Sequence, residues 1–132
     1  MPFTAKPLSG LKVIELGTLI AGPFASRICG EFGAEVIKIE SPDGGDPLRK
    51  WRKLYEGTSL WWFVQARNKK SLTLNLKHPD GLAILKQLLG EADILIENFR
   101  PGVLEKLGLG WDVLHALNPK LVMVRLSGFG QT

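Results

Sequence analysis

The sequence predicts an open, mainly parallel α/β sheet with helices on both faces, and three observations carry that prediction. Five short runs read as strands, at 12–16, 35–39, 71–76, 93–97 and 121–126, and four of them are nearly continuous in Val, Ile, Leu and Met. Strands that apolar are covered on both faces, as in a parallel sheet flanked by helices. Helical patterns with their own start and stop residues lie between them, and alternation of this kind makes crossovers between parallel strands.

Taken in order, the first strand (KVIEL) is followed by Gly22 and Pro23, after which Phe24, Ile28 and Phe32 recur at four-residue spacing. That spacing predicts a helix, and Gly33 can terminate it. The strand at 35–39 then completes a strand, helix, strand unit. Residues 41–68 break the rhythm: Pro42, Gly44, Gly45 and Pro47 lead into a basic segment holding Trp51, Trp61 and Trp62. It reads as a long functional connection, or as an excursion that packs on another chain. Residues 71–76 alternate, with Leu72, Leu74 and Leu76 on one side, as in an edge or half-exposed strand. Pro79 opens the next helix at a first-turn position, Leu82, Leu85, Leu88 and Leu89 form its buried stripe, and Gly90 closes it. The strand at 93–97 follows directly. Helical stretches at 103–107 and 111–117 are interrupted by Gly108 and Gly110 and stopped by Asn118 and Pro119. Neither an internal repeat nor a linker divides the chain, so residues 1–132 read as one domain or one piece of a domain.

At 132 residues a chain can bury roughly two thirds of its unfolded surface. With 45% hydrophobic and 23% charged residues it is globular, and no apolar run reaches the roughly 20 residues of a membrane helix. The stretch from Met1 to Gly10 holds two prolines and no secretory apolar run, and Cys29 is alone. Both features lead us to expect the cytoplasm and no membrane association. The net charge of +4 is unevenly placed: Arg49, Lys50, Arg52, Lys53, Arg67, Lys69, Lys70 and Lys77 face only Glu56, giving +7 in that block. Such a block is either a solvated basic face or an attractor of phosphate, on nucleic acid or on a nucleotide cofactor.

Ligands of open α/β sheets sit beyond the carboxyl ends of the strands. After the fourth strand come Asn98, Phe99, Arg100, Pro101 and Gly102, placing an amide, a ring and a guanidinium before a helix amino terminus. The group can hold a nucleotide, ring against base and positive charge toward phosphate, or it can be a strand cap with a solvated Arg. No GxGxxG follows the first strand and no GxxxxGK[ST] occurs, which disfavours a dinucleotide dehydrogenase or a P-loop nucleotidase. Cys29 reads as core and not as a nucleophile, and His78 and His115 lack the companions a metal site needs. The run Trp61, Trp62, Phe63 reads as packing more than as a base-stacking platform, so nucleic acid is not an expected partner.

Several segments together resemble the class III (CaiB/BaiF) CoA-transferases of the carnitine and formyl-CoA type. They are LSGLKVIEL at 8–16, AGPF at 21–24, FGAEVIKIE at 32–40, NKKSLTLNLK at 68–77, ADILIENFRPGVLEKL at 92–107 and NPKLVMVRLSGFGQ at 118–131. They span the chain in the family's order, and ENFRPG followed by NPKLV and SGFGQ is the most specific part. The resemblance implies a Rossmann-like CoA domain, here the amino-terminal part of a larger protein, with a second, smaller domain beyond this chain and an interlocked homodimer. It implies CoA contacts, with CoA bound as acyl-CoA substrate and no metal, at Ile20 and Ala21, at Leu74, Asn75, Leu76 and Lys77, at Asn98, Phe99 and Arg100, and at Lys106. Two positions depart from the pattern: Ser41 and Lys106 stand where arginines occur in the family, and lysine cannot make a two-pronged hydrogen bond.

In the family, an aspartate attacks the acyl-CoA thioester and then stores CoA as an aspartyl thioester before passing it to a free carboxylic acid. That aspartate is expected beyond Thr132, so no catalytic residue is assigned among Asp43, Asp46, Asp80, Asp93 and Asp112. Two other readings accompany the transferase: an α-methylacyl-CoA racemase of the same superfamily, and a non-catalytic CoA-binding fragment. ENF and SGFG, in place of the racemase branch's usual EGF and TGWG, favour the transferase.

Overall fold

The computed structural model describes residues 5–131; Met1–Thr4 of the stretch from Met1 to Gly10, and Thr132, lie outside the described residues. Five strands form one sheet: β1 (Lys12–Glu15), β2 (Glu35–Glu40), β5 (Lys69–Thr73), β6 (Ile94–Glu97) and β7 (Val122–Arg125). Their order is β5-β2-β1-β6-β7 and every pairing is parallel. The chain builds outward from β1 in one direction, then returns to β1's other side, so the order reverses between β1 and β6. Open sheets bind ligands in the crevice at such a reversal.

The two faces carry separate cores, because side chains alternate along each strand. Val13, Val36 and Ile96 pack with Ala34 on the side covered by α1 (Ala21–Glu31). Ile14, Leu16, Ile39 and Leu95 pack on the other side with Leu85 and Leu89 of α3 (Pro79–Gly90), Leu104 of α4 (Val103–Lys106) and Leu114 of α5 (Trp111–Leu117). The Leu stripe predicted for α3 is therefore a core stripe. Asn118, the predicted stop, donates its side-chain amide to the carbonyl of Leu89 in the last turn of α3 and to that of Ala92 just beyond it.

The first helix forms where the spacing placed it but turns another face inward. Phe24 and Phe32 are half exposed, whereas Gly22, Pro23, Ser26 and Gly30 are buried. Small residues on that face let the helix approach the sheet and the Asn68 backbone; a methyl at Gly30 would stand 3.1 Å from the Asn68 carbonyl oxygen. The third predicted strand is also shifted, to Lys69–Thr73, and it is an edge strand as expected.

Residues 41–68 are ordered. A 3-10 turn (Pro47–Lys50) leads to a small antiparallel hairpin, β3 (Leu54–Tyr55) and β4 (Thr58–Ser59), and then to α2 (Leu60–Gln65). Glu56 and Gly57 both have positive φ, 48° and 77°, as a two-residue hairpin turn requires. The excursion leaves Leu54, Tyr55, Leu60, Trp61, Phe63 and Val64 exposed. No helix among the described residues is long and apolar enough to cross a membrane.

Candidate functional site

A cleft of about 290 Å³ opens at the carboxyl ends of β1, β2 and β5. Its floor is apolar: Leu16 just beyond β1 and Ile39 near the end of β2, with Leu74, Leu76, Phe99, Val103 and Leu107 completing it. Thr18, Ser41, Asp43, Asn75 and Lys77 supply polar groups. An apolar cavity with a few polar groups suits a ring system attached to a charged or hydroxylated chain.

Of the predicted contacts, the structure brings Leu74, Asn75, Leu76, Lys77 and Phe99 into the cleft. Ile20, Ala21, Asn98, Arg100 and Lys106 do not line it. Asn98 instead clamps the loop after β1, its Oδ1 accepting from the Thr18 N–H at 2.7 Å and its Nδ2 donating to the Thr18 carbonyl at 3.0 Å. Gly17 and Gly22 pack under this clamp; a Cβ on either would stand 2.8 Å from the other's Cα. Ile20 caps α1 with no side-chain hydrogen bond, and that helix has no acid in its first turn, so its amino-terminal amides are not neutralised locally. Arg100, in the β6–α4 connection, and Lys106, at the end of α4, are exposed.

Phe99 is held in place by Glu97, whose carboxylate accepts from the Phe99 N–H at 2.7 Å and from Arg125 Nε at 2.7 Å. Arg125 also pairs with Glu105 and so ties α4 to the sheet; its hydrogen bond and charge hold the Glu105 carboxyl below the ordinary range. The 74–77 segment is fixed differently. Asn75 Oδ1 accepts from the Lys77 N–H, the Asn75 carbonyl accepts from the His78 N–H, and His78 Nδ1 caps α3 by accepting from the Asp80 N–H. His78 is thus a helix cap. Gly81 permits the fit, since a Cβ there would lie 2.1 Å from the Asn75 carbonyl oxygen.

Beneath the cleft lies a buried ionic cluster. Lys38 Nζ is 2.8 Å from Glu15 Oε1 and 2.8 Å from Asp46 Oδ2, and donates to the Gly17 carbonyl at 2.7 Å. Its approach to Asp46 Oδ2 is off the line of a hydrogen bond, so that contact is an ion pair. Lys69 Nζ lies 2.8 Å from Glu15 Oε2 and donates to the Pro23 carbonyl, and burial lowers its pKa while Glu15 opposes the change. Glu40, at the end of β2, accepts from Arg49 through both Nε and Nη2, from the Ser71 hydroxyl and from the Asp46 N–H. Burial pushes the Glu40 pKa up, but these donors outweigh it and hold it at about 2. Arg49 also lies over the Trp62 ring, 3.8 Å from its centroid.

Of the basic block's eight cations only Arg49 and Lys69 are withdrawn from solvent, whereas Lys50, Arg52, Lys53, Arg67, Lys70 and Lys77 are exposed. Arg49, Arg67, Lys69 and Lys70 are paired with Glu40, Glu31, Glu15 and Glu35. Sequence reasoning missed Leu16, Ile39, Val103 and Leu107 as cleft residues, although their places at strand ends and on α4 could have marked them. It also missed Lys38 and Asp46, for which a lysine inside an otherwise apolar strand was the available signal. Among the described residues no three His, Cys, Asp or Glu side chains gather as a metal site. Cys29 is half-buried against the α1-side core, and burial raises its thiol pKa.

Comparison with known proteins places this geometry in a family. The chain is 56% identical over 128 residues to the succinyl-CoA–D-citramalate CoA-transferase of Chloroflexus aurantiacus, a match covering 96% of this chain and 32% of that protein. It is 42% identical to the succinate–glutarate CoA-transferase of Agrobacterium fabrum, covering 100% of this chain and 35% of the relative. A CAIB/BAIF family protein from Brucella suis has a crystal structure that superposes with a TM-score of 0.90 at 39% identity, over 98% of this chain and 35% of that one. The chain thus spans about a third of the length of the relatives it matches. The family model described as CoA-transferase family III matches residues 8–132, so sequence, sheet order and relatives agree that this chain belongs to CoA-transferase family III.

Proposed function

We propose that the protein to which this chain belongs moves CoA from an acyl-CoA thioester to a free carboxylic acid, and that this chain supplies the CoA-binding half. The observation that carries the reading is the cleft, where residues 74–77 and Phe99 meet at the carboxyl ends of parallel strands. We assign the nucleotide end of CoA to it, with Ile20, Ala21, Asn98, Arg100 and Lys106 around the β1–α1 and β6–α4 connections serving the phosphates. The lysine at 106 supplies charge without a fork, which suits a phosphate held by attraction more than by geometry. Similar proteins named for succinyl-CoA with citramalate, malate or glutarate support succinyl-CoA as donor and a dicarboxylic acid as acceptor.

In the proposed reaction an aspartate outside this chain attacks the thioester carbon, and CoA leaves as a thiolate. The thiolate then attacks the aspartyl carbonyl of the mixed anhydride, releasing the donor acid and leaving an aspartyl-CoA thioester. The acceptor carboxylate repeats the two steps in reverse, so CoA is conserved and the aspartate is regenerated. We further assign the protein to the cytoplasm as a two-domain homodimer. The exposed Leu54, Tyr55, Leu60, Trp61 and Phe63 support burial of the excursion against the rest of that assembly.

The test is to incubate the full-length gene product with succinyl-CoA and a panel of mono- and dicarboxylic acids. Transfer to a dicarboxylic acid, and none by the isolated 132-residue chain, is expected. Turnover by the short chain would place the nucleophile within it, and racemisation of a 2-methylacyl-CoA without transfer would replace this reading with the racemase one.

A further inference from the structure

We propose that Asp46 is a positioning residue for the cleft, holding the loop after β1 in a backbone conformation that Leu19 would not keep unaided. Leu19 has φ 61°, in the left-handed region where a Cβ is costly and glycine is the ordinary occupant. Its N–H donates to Asp46 Oδ1 at 3.1 Å, across 27 residues of sequence. The same oxygen accepts from the Leu48 N–H at 2.8 Å, and Asp46 Oδ2 pairs with Lys38, which in turn holds the Gly17 carbonyl. Asp46 is 2% exposed.

The loop is thereby pinned from two sides. Asn98 grips Thr18 through both backbone groups, and Asp46 grips Leu19, the next residue. Thr18 and Asp46 both line the cleft, so a change of Leu19 to an ordinary φ moves part of the cleft wall. It also turns the peptide that leads into α1, whose amino terminus begins two residues later at Ala21. Strained residues persist where surrounding bonds over-determine them, and they concentrate where a site must be preorganised. Four hydrogen bonds meet on residues 17–20, and Asp46 supplies the one that bears on the strained residue.

A purely structural Asp46 and a positioning Asp46 differ in how they couple to Leu19. In the full-length gene product, Asp46→Ala is expected to weaken CoA binding about tenfold, as loss of a charge-assisted hydrogen bond does. The double variant Asp46→Ala, Leu19→Gly should recover to within about threefold of wild type, because glycine takes the left-handed conformation without help. Backbone hydrogen exchange at Thr18 and Leu19 should quicken in Asp46→Ala while α3 stays protected. Where Asp46→Ala does not fold, Asp46→Asn with and without Leu19→Gly carries the test: Asn cannot serve the Leu19 N–H and the Lys38 ammonium together, so the single variant should bind CoA more weakly and Leu19→Gly should restore it, and equal losses in the two would overturn the proposal.

The affinity readout rests on the proposed CoA site, whereas the exchange readout does not. If wild type fails to bind CoA, the functional reading falls and the exchange data alone decide the role of Asp46. Equal losses in the single and double variants, or unchanged exchange at Leu19 in Asp46→Ala, would overturn the proposal.

Discussion

Glu40→Gln tests the electrostatic frame beneath the cleft through its pH dependence. The folded-state pKa of about 2 lies below the ordinary value of 4.5, so the ionised carboxylate is favoured by folding. A group depressed in this way contributes stability that is complete above pH 4.5 and is lost as pH falls through 4.5 toward 2. The gap corresponds to at most about 3 kcal/mol, and because Arg49 is 38% exposed, water screens the pair and about 2 kcal/mol is the working figure. Gln retains an acceptor but cannot take both Arg49 donors as a carboxylate does. Urea unfolding of wild type and Glu40→Gln from pH 7 downward should show a difference of about 2 kcal/mol that is level to pH 4.5 and has fallen by more than half at pH 3. Glu35 and Glu105, whose carboxyls are also held below their ordinary range, by Lys70 and Arg125, are common to both proteins and cancel. A difference that stays constant through this window would refute the reasoning.

Two further substitutions test how the cleft walls are built. Gly81→Ala drives a methyl to within 2.1 Å of the Asn75 carbonyl oxygen, a backbone atom that cannot swing aside; overpacking of this kind should cost about 1–3 kcal/mol by denaturant midpoint and weaken CoA binding by moving residues 74–77. Asn98→Ala removes both bonds to Thr18 and should cost about 2 kcal/mol, with faster exchange at the Thr18 amide, whereas exchange unchanged there would show that Asn98 is no clamp.

The sheet was legible because its strands are continuous in apolar residues, as burial on both faces demands, and because helix stops such as Asn118 carry their own hydrogen-bonding chemistry. The shift of β5 was not, since Lys69 and Lys70 read as solvated charge. In the fold the Lys69 side chain is 2% exposed against Glu15, so the strand begins there, and Leu74 and Leu76 serve the cleft after the strand has ended. The α1 stripe misled for a related reason: periodicity marks where apolar residues lie, but the sheet accepts the face with the smallest side chains, leaving Phe24 and Phe32 outward.

Of the candidate site, the strand ends were readable and the polar scaffold was not. Residues 74–77 and Phe99 reach the cleft because a parallel sheet delivers strand ends to one edge. Asn98 holds Thr18, and Arg100 and Lys106 are exposed outside the cleft. The contacts that shape the loops, Asp46 with Leu19, Asn98 with Thr18 and Lys69 with Glu15, join residues far apart in sequence. Only the fold brings them together.

In the proposed function the cleft at the carboxyl ends of β1, β2 and β5 receives CoA, and hydrogen exchange with and without saturating CoA checks that occupancy residue by residue. Binding should slow exchange at the amides of Leu74, Asn75, Leu76, Lys77 and Phe99 and leave those of Trp61 to Gln65 on α2 unchanged. Protection confined to the excursion, or spread evenly with none at 74–77, would contradict the claim.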